Sequence, residues 1–236
     1  MALPKLIVPR YALTLPSTGA KVKYRPFLVK EEKMLLLAME SDDQAMMVET
    51  ITNLIESCTN LTGVNKLATF DIEYLFLNVR GKSVGETVDI KVTCPDDGVT
   101  TVPVTVDLDA IQVTFDPEHD KDIILDDKLK MRMKYPSLDE FIKENFQVDN
   151  VGFEQSIEMI ASCVDMIYSE DETWTSADFT QKEMVDFLEG LGSKQFKELE
   201  KFFTTMPKLT HEIKVKNPKT KKENTIKLEG LAAFFN

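Results

Sequence analysis

Hydrophobic positions change their period several times along the chain, and each change marks an expected element. Tyr11, Leu13 and Leu15 alternate with polar or small residues, as do Val22 and Tyr24, which predicts a hairpin. Its turn is Pro16-Ser17-Thr18-Gly19, where proline presets φ and glycine is free to take φ > 0. Residues 30–40 begin charged (Lys30, Glu31, Glu32) and continue apolar (Met34 to Met39), predicting a well-buried helix. Met47, Val48, Ile51, Leu54, Ile55 and Cys58 lie on one face of a second helix. Ile72, Leu75, Phe76 and Val79 define a third helix, from about Asp71 to a terminus at Gly81.

The middle of the chain reads as β. Residues 87–93 and 100–108 alternate around Val88, Ile90, Val92 and Val102, Val104, Val106, with Pro95-Asp96-Asp97-Gly98 as their turn. Residues 111–115 and 128–134 could each add a strand. Ser137-Leu138-Asp139-Glu140 is a capping box for a short helix with Phe141 and Ile142 inward. Phe153, Ile157, Ile160, Ala161, Val164 and Ile167 predict one long amphipathic helix. Thr180-Gln181-Lys182-Glu183 caps another, running to about Gly190, and Phe196, Leu199, Phe203 and Met206 mark a last one, stopped by Pro207. A final hairpin sets Leu209, His211, Ile213 and Val215 against Ile226 and Leu228 across Asn217–Thr220, before a short apolar end at Leu231, Phe234 and Phe235.

Segregated α and β blocks give an α+β class: an N-terminal hairpin with helices, central antiparallel strands, and a C-terminal helical bundle closed by a hairpin. The chain is expected to form one unit, or two lobes: 1–136, mixed β/α, and 137–236, mainly helical with the last hairpin. The acidic stretch Asp107 to Asp127, eight acids against one lysine, is the natural lobe boundary or exposed loop.

Composition narrows the function classes. A net charge of −12 over 236 residues repels polyphosphate, which argues against nucleic acid and anionic membranes as partners. No apolar run reaches the roughly 18 residues of a membrane span. The opening ten residues lack a continuous apolar stretch, so no secretory signal is expected there. Three cysteines, Cys58, Cys94 and Cys163, are an odd and sparse set, pointing to a reducing compartment.

Each catalytic or binding motif has a plainer explanation. Gly81-Lys82-Ser83 ends like a phosphate-binding loop, but the glycine required five residues earlier is Phe76. Asp116, Glu118, Asp120, Asp122, Ile123 and Asp127 follow calcium-loop spacing, yet Lys121 stands where glycine must and Asp127 where the bidentate glutamate belongs. Cys94-Pro95-Asp96-Asp97-Gly98 has the outline of a zinc knuckle with Asp97 in place of the second thiolate. A structural zinc needs four ligands and there is no second cysteine pair, so a β-turn with a half-buried thiol is expected. Neither His119 nor His211 sits in a motif that would activate a nucleophile, and His211 reads as a core histidine. No catalytic, cofactor-binding or metal-ligating residue is assigned. Contact features remain: Lys208 to Lys222 carries six lysines against one glutamate, and Trp174, the only tryptophan, sits in a polar connection where it staples the loop or anchors a partner.

Longer stretches carry a resemblance. Pro9-Arg10-Tyr11, Thr14 to Gly19, Tyr24-Arg25-Pro26-Phe27-Leu28-Val29-Lys30-Glu31-Glu32-Lys33 and Glu40-Ser41 resemble the T4-like bacteriophage baseplate protein family. Phe70 to Leu77 with Arg80 and Lys82 to Glu86 looks like its second signature; Met206 to Leu209, Leu228 to Leu231 and Phe234-Phe235 are similar to its ending. Some members carry a Cys-x-x-Cys knuckle near the last hairpin; here those places read Asn217-Pro218-Lys219-Thr220, and no metal is carried over. The resemblance implies a non-enzymatic role in building the tail baseplate in the host cytoplasm, and the favoured expectation is an assembly chaperone of the central hub that binds other hub proteins. The alternatives are a permanent hub subunit residing in the virion tail and, from another class, a tail-associated cell-wall hydrolase. The expected partner-binding residues are Tyr24, Arg25, Phe27, Lys30, Glu31, Lys214 and Lys216. The competing structural use of that segment puts Tyr24 and Phe27 in the core and pairs Arg25 with Glu31 or Glu32.

Overall fold

The computed structural model describes residues 7–41, 43–138 and 153–234. The chain folds as two compact units, one of residues 1–114 with 208–236 and the other of residues 115–207. The sequence pattern offers a single unit or two lobes meeting near residue 136, with the acidic stretch 107–127 as the natural boundary. The observed arrangement instead has two crossings, one of them inside the acidic stretch.

The first unit opens with the expected hairpin, β1 (Tyr11–Thr14) and β2 (Lys21–Tyr24), paired so that Leu13 faces Val22. Alternation buries Leu13, Leu15, Val22 and Tyr24. Helices α1 (Val29–Ser41) and α2 (Gln44–Cys58) follow, α2 capped by the Asp43 carboxylate, which accepts from the amides of Ala45 and Met46. The α2 face foreseen from spacing is the buried one: Met47, Ile51, Leu54, Ile55 and Cys58 all point inward.

Helix α3 (Thr69–Val84) is enclosed on nearly every side, from Phe70 and Ile72 through Leu77 to Val79. It continues past Gly81, whose bare Cα faces the Leu108 side chain, and ends at Gly85, where φ is 151°. Only glycine takes that backbone readily, so the terminus falls four residues later than the sequence reading. The β3 (Thr87–Thr93) and β4 (Thr101–Asp107) hairpin forms as expected. A separate three-stranded sheet has the order β11–β10–β5, built from β5 (Gln112–Thr114), β10 (Lys208–Lys216) and β11 (Glu223–Glu229). The final hairpin therefore joins a strand of the first unit, whereas the helices within residues 153–205 belong to the second. A 3-10 turn at Leu231–Phe234 then buries Phe234.

The second unit is a four-stranded antiparallel sheet in the order β6–β7–β8–β9, with three described helices. The strands are β6 (Asp122–Ile124), β7 (Lys130–Met133), β8 (Val164–Tyr168) and β9 (Thr173–Thr175). The helices are α4 (Phe153–Ser162), α5 (Gln181–Glu189) and α6 (Ser193–Thr205). Their shared core includes Ile123, Met131, Met133, Ile157, Ile160, Ile167, Met184, Leu199 and Phe202.

The long helix expected through Ile167 stops at Ser162. Val164 and Ile167 belong to β8, where they pair with Met133 and Met131 of β7. The run Val-Asp-Met-Ile-Tyr suits both periods, and the edge of β7 not taken by β6 decides for the strand. Trp174, expected in a loop, lies on β9 opposite Ile167. The acidic stretch is partly ordered as β6, held by Arg132 Nε donating to Asp122 at 2.7 Å. The Thr180–Glu183 capping box forms in full. The helix anticipated at Ser137–Ile142 lies largely outside the described residues. Every described strand pair is antiparallel, with no parallel β-α-β crossover among the described residues, which fits an α+β fold.

Candidate docking surface

The segment after β2 is fixed by a ladder of local and distant bonds. Arg25 N donates to Cys58 O at 2.8 Å, and Phe27 N donates to Ser83 Oγ at 2.9 Å. Tyr24 and Phe27 are buried, and the Tyr24 ring lies 5.5 Å from that of Tyr11. Glu31, in the first turn of α1, accepts from Leu28 N at 2.6 Å and from Arg25 at 2.9 Å. Burial opposes its ionisation, but those bonds outweigh burial and hold the carboxyl below its usual range. Arg25 also donates to Pro26 O at 2.9 Å.

Four of the seven residues named from sequence are thus engaged inside the unit: Tyr24, Arg25, Phe27 and Glu31. Lys30 is solvent-exposed, its ammonium 3.4 Å from Glu31. Lys214 and Lys216 are exposed on β10, alternating with buried Ile213 and Val215. His211 is half-buried across from Leu228.

Helix α1 departs most from expectation. Glu31, Leu35 and Ala38 form its buried stripe, whereas Val29, Met34, Leu36 and Leu37 are 80%, 50%, 54% and 47% exposed. The apolar run from Met34 covers the whole circumference of the helix, and α2 packs along only part of it. Between the two helices lies a groove of about 240 Å³ lined by Lys30, Met34, Thr50, Asn53 and Leu54. Exposed charges on α1 and at the start of α2 are mostly acidic, Glu32, Glu40, Asp43 and Glu49 against Lys30 and Lys33. A second apolar groove, about 280 Å³, lies in the other unit among Leu129, Ile167, Trp174, Phe179, Met184 and Phe187. Trp174 is 39% exposed at its edge.

The chemistry-bearing groups have structural partners. His119 is within 3.0 Å of Thr205 Oγ1 and 3.1 Å of Tyr135 OH, so both ring nitrogens are taken. Asp116 and Asp120 accept from backbone amides two residues on, and Asp126 from Lys128 and Leu129. Lys82 bridges Glu86 at 2.5 Å and Asp109 at 2.8 Å. Cys94 is fully buried, deeper than the half-buried thiol expected. Among the described residues, no three His, Cys, Asp or Glu side chains come together as a metal-holding group.

What the fold presents most plainly among the described residues is the exposed apolar side of α1. Comparison with known proteins adds a family. Residues 8–236 match the family described as T4 bacteriophage base plate protein, and the chain belongs to that family. It is 25% identical over 221 residues to the baseplate hub assembly protein gp26 of Enterobacteria phage T4, covering 92% of this chain and 94% of that protein. No solved structure matches.

Proposed function

We propose that this chain acts in assembling the phage baseplate hub by binding other hub proteins, without catalysing a reaction, and that it docks through the exposed side of α1. The observation that carries the docking assignment is the placement of Leu36, Leu37 and Met34 in solvent on a helix whose base is firmly seated. Leaving such side chains in water costs about 25 cal/mol for each Å² of apolar surface, a cost that a partner removes by covering them. The mostly acidic charge on α1 and at the start of α2 favours a partner with an apolar patch bordered by lysine or arginine. Lys30 sits at the groove, and Lys214 and Lys216 offer a separate basic contact. The favoured role is an assembly chaperone in the host cytoplasm, with a permanent hub subunit as the alternative.

The test has two arms. Leu36→Asp with Leu37→Asp should leave circular dichroism unchanged while abolishing co-purification of hub proteins from infected cells. Retained binding by a folded double variant would move the interface elsewhere, first to Lys214 and Lys216. Mass spectrometry of finished virions beside assembling baseplates separates the roles: presence only in the intermediates selects the chaperone, and presence in both selects the subunit.

A further inference from the structure

The turns of two different hairpins in the first unit have the same construction and are bonded to each other. In Cys94-Pro95-Asp96-Asp97-Gly98, the fifth residue donates its amide to the first carbonyl at 2.9 Å, with φ 67° at Gly98. In Asn217-Pro218-Lys219-Thr220-Lys221 the same bond is 2.9 Å, with φ 64° at Lys221. That second value is the only positive φ at a described non-glycine residue. A lysine held there marks a turn whose shape is imposed by its surroundings. Proline takes the second place in both turns.

Asp96 joins the two. Its carboxylate accepts from Asn217 Nδ2 at 2.8 Å, from Asn224 Nδ2 at 3.1 Å, and from the Thr220 hydroxyl. Its own amide donates to Asn224 Oδ1 at 3.2 Å. Asn217 is fully buried and Asn224 nearly so.

Two facing turns of this kind are how a structural zinc is commonly gripped, each supplying ligands from its first and fourth residues. The four corners here are Cys94, Asp97, Asn217 and Thr220, and they do not suit a metal. Only Cys94 is a thiol. The Asp97 oxygens are taken by Thr100 Oγ1 at 2.5 Å and by the amides of Thr100 and Val99 at 2.9 and 3.1 Å. Asn217 Oδ1 accepts from Lys219 N at 2.8 Å and Thr220 N at 3.3 Å. Thr220 Oγ1 is committed to Asp96.

We infer that this pair of turns is a metal-independent staple, in which Asp96 and its three side-chain donors tie the β3–β4 hairpin to the β10–β11 hairpin across 128 residues of sequence, where a zinc ion would tie two such turns in a metal-binding chain. The corners hold the first and fourth places of the two turns, and their chemistry is hydrogen bonding. Three substitutions therefore restore a ligand set: Asp97→Cys, Asn217→Cys and Thr220→Cys, together with native Cys94.

The experiment uses the full chain and follows thermal unfolding and cobalt spectroscopy. Chelator should leave the native midpoint unchanged, and Asp96→Ala should lower it by several degrees equally with and without chelator. The three-cysteine variant should bind one Co²⁺ per chain with the visible bands of a tetrahedral thiolate site, and a further Cys94→Ser should weaken those bands. Zinc released from the native chain with a falling midpoint would overturn the inference, as would an Asp96→Ala midpoint equal to the native one. A three-cysteine variant without cobalt bands, whether folded or unfolded in the presence of the metal, would overturn the shared geometry.

Discussion

The first unit joins distant stretches of chain through buried polar groups, whereas the second packs a continuous stretch of chain around apolar side chains. Among the described residues, those both buried and polar are Glu31, Thr50, Thr69, Asp71, Glu73, Thr100, Asn217 and Asn224, and all belong to the first unit. Asp71, in the first turn of α3, accepts from the amide of Ser17 at 3.0 Å and from its hydroxyl, fixing the β1–β2 turn 54 residues away. The second unit sets Met131, Met133, Ile157, Leu199 and Phe202 against one another, and its long-range polar bonds, such as Gln195 Nε2 donating to Leu125 O at 2.7 Å, join part-buried groups. Polar bonds demand particular partners, so the first unit gains specificity of assembly. Apolar packing demands only volume, so the second depends on being filled.

The largest expected effect tests the packed unit. Phe202→Ala removes a buried ring lying 5.1 Å from His119 and 5.0 Å from Phe203, and should cost about 3–5 kcal/mol. Trp174, the only tryptophan, reports the second unit by fluorescence, while far-ultraviolet dichroism reports both units. If the two signals shift together, the units unfold as one cooperative block; if fluorescence shifts alone, they are independent.

Next comes the polar unit. Glu31→Ala leaves the Leu28 amide and Arg25 without their acceptor, and should cost about 1–3 kcal/mol in denaturant unfolding. A cost near zero would mean that water replaces the carboxylate and that the polar frame is dispensable there.

Acidification should separate the units by sign. Burial pushes the Asp71 carboxyl up against the two Ser17 bonds, so the folded state holds this proton more tightly than the unfolded one. Its contribution is present at low pH and lost as pH rises through the raised value, so Asp71→Asn should remove that loss. In the second unit, burial and then the Lys121 charge push His119 below its ordinary value near 6.5. Stability from His119 is present above about 6.5 and lost as pH falls through the lowered value, and His119→Gln should flatten melting midpoints between about pH 7 and 5. An unaltered slope in either variant would assign the pH dependence to other groups. The smallest change is expected at Leu36→Asp, within about 0.5 kcal/mol, because the native side chain already faces solvent.

Elements with one clear period were legible in the sequence. The face of α2, the β3–β4 alternation and the Thr180 cap all follow from spacing that a single neighbour satisfies. The errors arose where two neighbours compete for one segment. Val164 to Tyr168 fits a helix or a strand locally, and β7 settles it from more than thirty residues away. Asp107 to Asp127 reads as solvated loop until Arg132 fixes Asp122 in β6. Of the candidate surface, Tyr24, Arg25, Phe27 and Glu31 were noticed for their chemistry, yet all four have partners within the unit. Leu36 and Leu37 were passed over because an apolar helix is ordinarily an interior one. Counting the helices available to cover α1 was the missing step, and it requires the topology.

The order β11–β10–β5 has a consequence for how the chain is made. Thr114, where the first unit is interrupted, stands opposite Lys208, where it resumes. The second unit is thus an enlarged loop between two neighbouring strands. A ribosome completes this loop before it has made the strand that the first unit needs, so residues 115–207 can settle while β5 still waits for its partner. The first unit closes only when β10 and β11 have been made, which places its completion after the whole of the second unit. Because the two ends of the loop meet as a cross-strand pair, a tight turn could bridge Thr114 to Lys208 and leave the first unit's strand pairing in register.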